Sequence, residues 1–286
     1  MRPANIVTSV ADVLAGIAIS GILTNGNQLT NYILPILLLC ISTIGLYGGG
    51  VVFNDVFDAD LDKVERPERP IPRGDISLKE AIFLGIILLL IGLLAALLVN
   101  IVSALLALSI VVAALVYDKW GKHNAITGPV NMGLCRGLNL LLGISIVSSS
   151  VAAWWFVAII PVIYIAAITM ISRGEVHGGK KSTLYFAAFF YSIVIGSILY
   201  LSSRTEMIWW SLVFLVPFGW MIFSALIKAI RMPSPQNIGK AVKSGVIALI
   251  LMNASWAAAV GTIVLAFVIL LLLPISLWLA KLFAVT

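Results

Sequence analysis

The chain has 286 residues, 61% of them hydrophobic and only 10% charged, where a soluble domain carries about a quarter charged residues. That excludes an ordinary soluble enzyme and indicates an integral membrane protein. The net charge of +6 would suit a nucleic-acid partner in a soluble chain, but here the basic residues flank apolar runs, where they set orientation in a bilayer, and no nucleic-acid partner is expected.

Apolar runs of about 20 residues, the length that crosses a bilayer, recur from end to end. No stretch between them is long enough for a separate soluble domain, so 1–286 reads as one membrane domain: an all-α, polytopic transmembrane bundle of nine or ten spans. Bounded by polar and Gly/Pro clusters, the expected helices run over 6–24, 31–53, 77–97, 99–117, 126–148, 151–171, 183–202, 206–229, 238–257 and 259–282. The first, in "MRPANIVTSVADVLAGIAIS", has no small-residue cleavage site closing a short apolar core and reads as a span rather than a removed signal. Ser77 followed by Glu80 is a capping-box pattern that starts the third helix. Pro129, Pro161, Pro217 and Pro274 fall within spans, which membrane helices tolerate when neighbours satisfy the freed carbonyls. Cys40 and Cys135 lie in apolar segments without pairing or metal spacing and read as small hydrophobes.

With ten spans, Arg2, the 54–80 loop, Lys119 and Lys122, the loop of Arg173, Lys180 and Lys181, the Lys228–Lys243 region and Lys281 share one side. The opposite loops carry a single basic residue, Arg204. The asymmetry predicts both termini and the long charged loops in the cytoplasm.

The loop after the second helix reads "NDVFDADLDKVERPERPIPRG", Asn54 to Gly74. Asp55, Asp58, Asp60, Asp62, Glu65 and Glu68 alternate there with Lys63, Arg66, Arg69 and Arg73. If helical geometry continues past the apolar run, Asp55, Asp58 and Asp62 fall at i, i+3 and i+7 on one face, with Asp60 elsewhere. Carboxylates this close repel unless they share a cation. Mg2+ binds through one or two carboxylates together with the oxygens of a substrate phosphate. The prolines restrain the chain, so that the arginines offer fixed fork donors to phosphate. A solvated charge run is the alternative, and the spacing, the leading Asn and the basic proline-rich tail weigh against it.

This stretch resembles the first aspartate-rich motif, NDxxDxxxD with a basic proline tail, of the UbiA superfamily of intramembrane prenyltransferases. "YDKWGKH" after the fourth helix and "GGKKST" opening the seventh extend the likeness over most of the chain. The resemblance implies a helical bundle, in a plasma membrane of bacterial type, whose cytoplasmic loops cap a central cavity. It further implies that two acidic motifs hold Mg2+ on an isoprenyl diphosphate and that the allylic cation alkylates an aromatic or other lipophilic acceptor. On that likeness Asp55, Asp58 and Asp62 are the catalytic, metal-holding acids. Asn54, Arg66, Arg69, Lys119 and Lys122 contact substrate, and Tyr117 lies nearby.

The second motif departs from the family's pattern. In "MISRGEVHGGKKST" Glu175 takes the place of the later aspartate and joins the metal set, while Ile171 or Ser172 stands where the earlier one belongs. Arg173, His177 and Lys180 could compensate by binding phosphate directly. "SRGEVHGG" also resembles the EboC-like branch, associated with handling or exporting a biosynthetic precursor, so a non-catalytic relative that binds or helps export a hydrophobic precursor is the alternative. His177 lacks a second histidine at ligand spacing, which argues against a transition-metal site, and His123 decorates a loop.

Inside the fifth helix stand Asn131, Arg136 and Asn139. An intramembrane arginine is costly and faces the bundle interior by default, and Asn139, one turn on, is its expected neighbour. Two readings stay open for this group: glue between helices, and recognition of the acceptor near the cavity. Trp120, Trp154, Trp155, Trp209 and Trp210 lie near span ends, as belt residues do.

Overall fold

The computed structural model describes residues 3–23, 29–121, 124, 126–175 and 178–283; among these there are helices and turns and no strand. The first helix is α1 (Pro3–Ile19). It is followed by α2 (Ile33–Phe57), two short helices α3 (Ala59–Glu65) and α4 (Pro70–Arg73), then α5 (Leu78–Val99), α6 (Ile101–Lys119) and α7 (Thr127–Ile144). The second half contains α8 (Ser148–Trp154), α9 (Ile159–Ser172), α10 (Lys181–Arg204), α11 (Ile208–Arg231), α12 (Pro235–Ala259), α13 (Ile263–Leu270) and α14 (Leu272–Leu282).

All of the expected spans are helical, the sixth as α8 and α9 joined by a 3-10 turn and the last as α13 and α14. Among the described residues, eight helical stretches are long and apolar enough to cross a membrane. The two expected spans that fall short are α1, with 17 residues, and α7, whose 18 residues include Asn131, Arg136 and Asn139. α1 is apolar but short, α7 is long enough but polar, and both turn polar side chains inward and lie deep in the bundle.

Hydrogen bonds between loops sort the helix ends into two groups. At one end Asn54 meets Asp118, Arg173 donates to the carbonyl of Asn124, and the Gly179 N–H donates to the carbonyl of Pro233. At the other, Ser150 donates to the carbonyl of Ser20, Asn100 to that of Ser145, and Thr205 to that of Ala259. The helices therefore alternate in direction, and the charged loops gather at one end.

Packing follows membrane rules. Leu94, Leu98, Trp209 and Trp220 stand exposed on the outer surface, as suits side chains that meet lipid, where every backbone bond must be satisfied within the helix. α12 and α1 lie innermost, with residues 247–259 and 11–20 buried almost without interruption. Because lipid tails are as apolar as leucine, helices associate here through close contact of small residues. At the α1–α7 crossing a Cβ on Gly143 would run into the carbonyl of Val13, and one on Gly16 into that of Leu140. The expected capping box is present, with the Ser77 hydroxyl and backbone N–H both donating to Glu80 Oε2 and the Glu80 N–H donating back to Ser77 Oγ.

Candidate functional site

The apolar run of α2 carries the acidic motif to the charged end of the bundle with almost no break. Asp58 keeps helical dihedrals, its N–H donates to the carbonyl of Asn54 at 3.0 Å, and the Asp62 N–H donates to the carbonyl of Asp58 at 2.8 Å. The chain then turns at Arg66, whose φ of −143° and ψ of 62° leave the helix. Pro70 opens α4, and the residue before a proline is driven to extended geometry; Arg69 adopts φ −68°, ψ 152°. The turn brings Arg69 back over the motif. Its Nη1 lies 2.6 Å from Asp62 Oδ2 and 3.4 Å from Asp55 Oδ1. Asp62 is only 4% exposed, so this ion pair balances a carboxylate that water no longer solvates.

Beneath the motif lies a cavity of about 420 Å3, within the range of pockets that hold small ligands. Its mouth is made by Asn54, Asp58, Asp62, Glu65, Arg66 and Arg69 from the motif side and by Tyr117 and Asp118 from α6. Its walls are apolar: Leu46, Gly50 and Val51 of α2, Ile110 and Ala114 of α6, Met132 and Cys135 of α7. Asp118 is buried and its Oδ1 accepts from Asn54 Nδ2 at 3.0 Å, pinning α6 to the first residue of the motif.

The floor is ionic. Arg136 Nη1 donates to Asp12 Oδ2 at 2.7 Å, and its Nη2 donates to Thr8 Oγ1 at 2.8 Å. Asn139 Nδ2 reaches the same Asp12 Oδ2 at 3.2 Å and the carbonyl of Ser9 at 2.8 Å, while its Oδ1 accepts from Thr43 Oγ1. Asn253 of α12 donates to the other oxygen of Asp12 at 2.7 Å. The Arg136 guanidinium lies over the ring of Tyr47, 5.1 Å from its centroid. One carboxylate thus joins α1, α7 and α12, with α2 attached through Asn139.

The expected site residues divide accordingly. Asn54, Asp58, Asp62, Arg66 and Arg69 line the cavity mouth; Asp55 does not, and is turned to Arg69. Asp60 points away, with Lys63 donating to it at 2.8 Å, and this hydrogen bond holds its carboxyl below the usual range. Lys119 packs over Trp120, 4.7 Å from the ring centroid, outside the cavity lining. Arg173 is engaged with Asn124, and Lys180 stands at the residue preceding α10 without a side-chain cap. Glu175 lies beside α12 near Gly239 and does not line the cavity. The gap between it and the first motif has a plain cause: α9 packs on α7, α10 and α12, and neither α9 nor α10 contributes a residue to the cavity lining. Lys122, His123 and His177 lie outside the described residues. Asn131 sits near Gly121 and is not bonded to Arg136.

The donor set at the mouth, Asn54, Asp58, Asp62, Glu65 and Asp118, is all oxygen and fits a hard cation such as Mg2+ better than a thiophilic one. Among the described residues no three Asp, Glu, His or Cys groups converge as a ready-made metal cage. The sequence reading missed Asp118, Asp12 and Asn253. For Asp12 the signal was available, since the rule that singles out an intramembrane arginine applies equally to an acid within the first apolar run.

The sequence profile of the UbiA prenyltransferase family matches residues 13–244. Over 138 residues, 48% of this chain and 49% of the relative, the sequence is 32% identical to the digeranylgeranylglyceryl phosphate synthase of Sulfurisphaera tokodaii. Over 137 residues, 47% and 48% of the two chains, it is 34% identical to that of Saccharolobus solfataricus. The chain thus spans about half the length of these curated relatives. A longer alignment, with the Sulfolobus acidocaldarius synthase, takes in 235 residues, 76% of this chain and 80% of that one, at 26% identity. A solved structure of digeranylgeranylglyceryl phosphate synthase in membranes superposes with a TM-score of 0.62 at 22% identity, over 92% of this chain and 95% of that one. The apo structure of a UbiA homologue from Aeropyrum pernix K1 gives 0.61 at 17% identity, over 99% and 98%. At these identities the likeness is one of fold.

Proposed function

The chain belongs to the UbiA prenyltransferase family, and on that premise we propose that it moves an isoprenyl group from an isoprenyl diphosphate to a lipophilic acceptor, an aromatic one included, inside the bilayer. The observation that carries this reading is the cavity mouth, where oxygen donors and two arginines stand together over an apolar interior. Asn54, Asp58 and Asp62 would hold Mg2+, a small ion that takes a few protein oxygens and leaves its other positions to phosphate and water. Bound there, the ion would neutralise charge that develops on the departing diphosphate. Arg66 and Arg69 supply planar fork donors to the same phosphates. The apolar walls keep water from the allylic centre, so that the acceptor rather than solvent captures it. The charge asymmetry of the loops supports placing this mouth on the cytoplasmic face of a plasma membrane of bacterial type.

The test is binding of geranylgeranyl diphosphate to the purified protein, with Mg2+ and with chelator, in wild type and Asp58→Asn. Binding that needs both the ion and Asp58 is expected; binding indifferent to both would reject the assignment. One observation favours the second reading, a protein that binds or helps export a hydrophobic precursor without turnover. Ile171, 1% exposed, stands where an earlier carboxylate of the second motif would be, and Glu175 lies outside the cavity. Tight diphosphate binding with no release of pyrophosphate across a panel of acceptors would favour that reading.

A further inference from the structure

The deep end of the cavity carries a cluster of polar groups. Tyr47 and Thr43 precede Asn54 on α2 by two and three turns, so they lie about 10 and 16 Å deeper at a rise of ~1.5 Å per residue. At that depth Thr43, Tyr47, Arg136 and Asn139 line the cavity together with Leu46. A polar floor below an apolar shaft is a poor end for a hydrocarbon tail and a good one for a ligand with an oxygen at its far end.

The hydrogen-bond inventory of the floor is lopsided. Asp12 is filled, taking Arg136 and Asn139 on one oxygen and Asn253 on the other. Arg136 is not filled. It serves Asp12, Thr8 and the Tyr47 hydroxyl, with the Tyr47 ring against one face, and the five N–H donors of a guanidinium outnumber these three partners. Donors left over at a cavity wall in low dielectric are costly until an oxygen meets them. The charges, by contrast, are balanced: Asp12 and Arg136 are both almost fully buried, 1% and 5% exposed. A carboxylate ligand at Arg136 would add a second anion beside Asp12, which repulsion and desolvation oppose. A neutral oxygen would complete the donors without altering the charge.

We propose that Arg136 and Tyr47 form a subsite for the acceptor, and that the acceptor is a neutral lipophile bearing an accepting oxygen, such as a phenol or alcohol, and not a carboxylate. Naming this ligand the acceptor rests on the prenyltransferase reading; the subsite and its preference for a neutral oxygen do not.

The experiment is equilibrium binding of 4-hexylphenol and 4-hexylbenzoate at neutral pH to the full chain in nanodiscs of uncharged lipid, without diphosphate. The phenol is expected to bind at least tenfold more tightly. Asp12→Asn, nearly isosteric, leaves Arg136 unbalanced and should reverse the preference toward the benzoate. Ala114→Phe, which fills the shaft opposite Gly50 without touching the ionic floor, should weaken both probes at least tenfold. Equal affinity of the two probes for wild type, or an unchanged preference in Asp12→Asn, overturns the proposal. Should Asp12→Asn fail to fold, Arg136→Lys replaces it, since lysine keeps a cation for Asp12 but lacks the fork. Its phenol affinity should fall at least tenfold, and an unchanged value overturns the proposal. Geranylgeranyl diphosphate binding measured alongside separates the two readings. Diphosphate binding without the phenol preference sinks the subsite alone, and the preference without diphosphate binding sinks the prenyltransferase reading alone.

Discussion

The loops that follow α2 and α9 stand at the same end of the bundle, yet they meet different interiors. Below the first, α2, α6 and α7 part to leave a cavity, and the acids and arginines of the loop close its mouth. Beside the second, aromatic rings fill the space. Tyr164 lies 5.1 Å from Tyr191 and 5.6 Å from Phe218, and Tyr191 lies 6.2 Å from Phe223, centroid to centroid. The lesson is that the site is one-sided. Neither Ile171 nor Glu175 lines the cavity under the first loop.

The largest test strikes the seam that joins the two regions. Gly143→Leu drives a side chain into the α1 backbone at Val13 and should cost more than about 4 kcal/mol, beyond the range of ordinary substitutions, so that no monodisperse protein is recovered by size exclusion. Ile171→Asp tries to restore the missing acid. It buries an unpaired charge and should lower stability by roughly 3 kcal/mol or more in thermal unfolding, without raising Mg2+ affinity in calorimetry; a gain in affinity would show that the second loop can reach the cavity. A smaller effect compares the loops directly. Asp62→Asn is expected to weaken Mg2+-dependent prenyl diphosphate binding at least ~tenfold, the scale of one charged hydrogen bond, whereas Glu175→Gln should change it less than ~twofold. Equal effects would mean that both loops serve one site.

The smallest effect is at the start of α5. The Ser77 hydroxyl and backbone N–H both donate to Glu80 Oε2, and the Glu80 N–H donates back to Ser77 Oγ, a reciprocal cap of the helix start. Glu80→Ala should therefore quicken amide exchange at Leu78 to Ala81 while prenyl diphosphate binding at the cavity is unaffected.

Much of the fold was legible because apolar runs of bilayer length have one physical solution, the helix. The cap at Ser77 and the continuing helix through Asp58 were legible for the same reason, since both are local. What was hidden is tertiary. Nothing in the spacing of "YDKWGKH" says that Asp118 turns inward to Asn54, 64 positions away, while its neighbour Lys119 turns out to Trp120. Arg136 was conspicuous, but Asp12 meets it across 124 positions of chain and Asn253 meets Asp12 across 241, and periodicity carries no such information. The joining of Asp55 and Asp62 by Arg69 was equally hidden, because the return of Arg69 over the motif depends on the turn at Arg66 and not on helical phase.

The ionic floor also sets a timetable. Asp12 leaves the ribosome 124 residues before Arg136, an interval of about 6 to 25 seconds at usual rates of synthesis, and Asn253 follows later still. Throughout that interval the helix bearing Asp12 has no counter-charge, so its lasting place in the bilayer waits on the arrival of α7. Biogenesis of this chain is thus ordered from the middle, with its earliest helix among the last to settle.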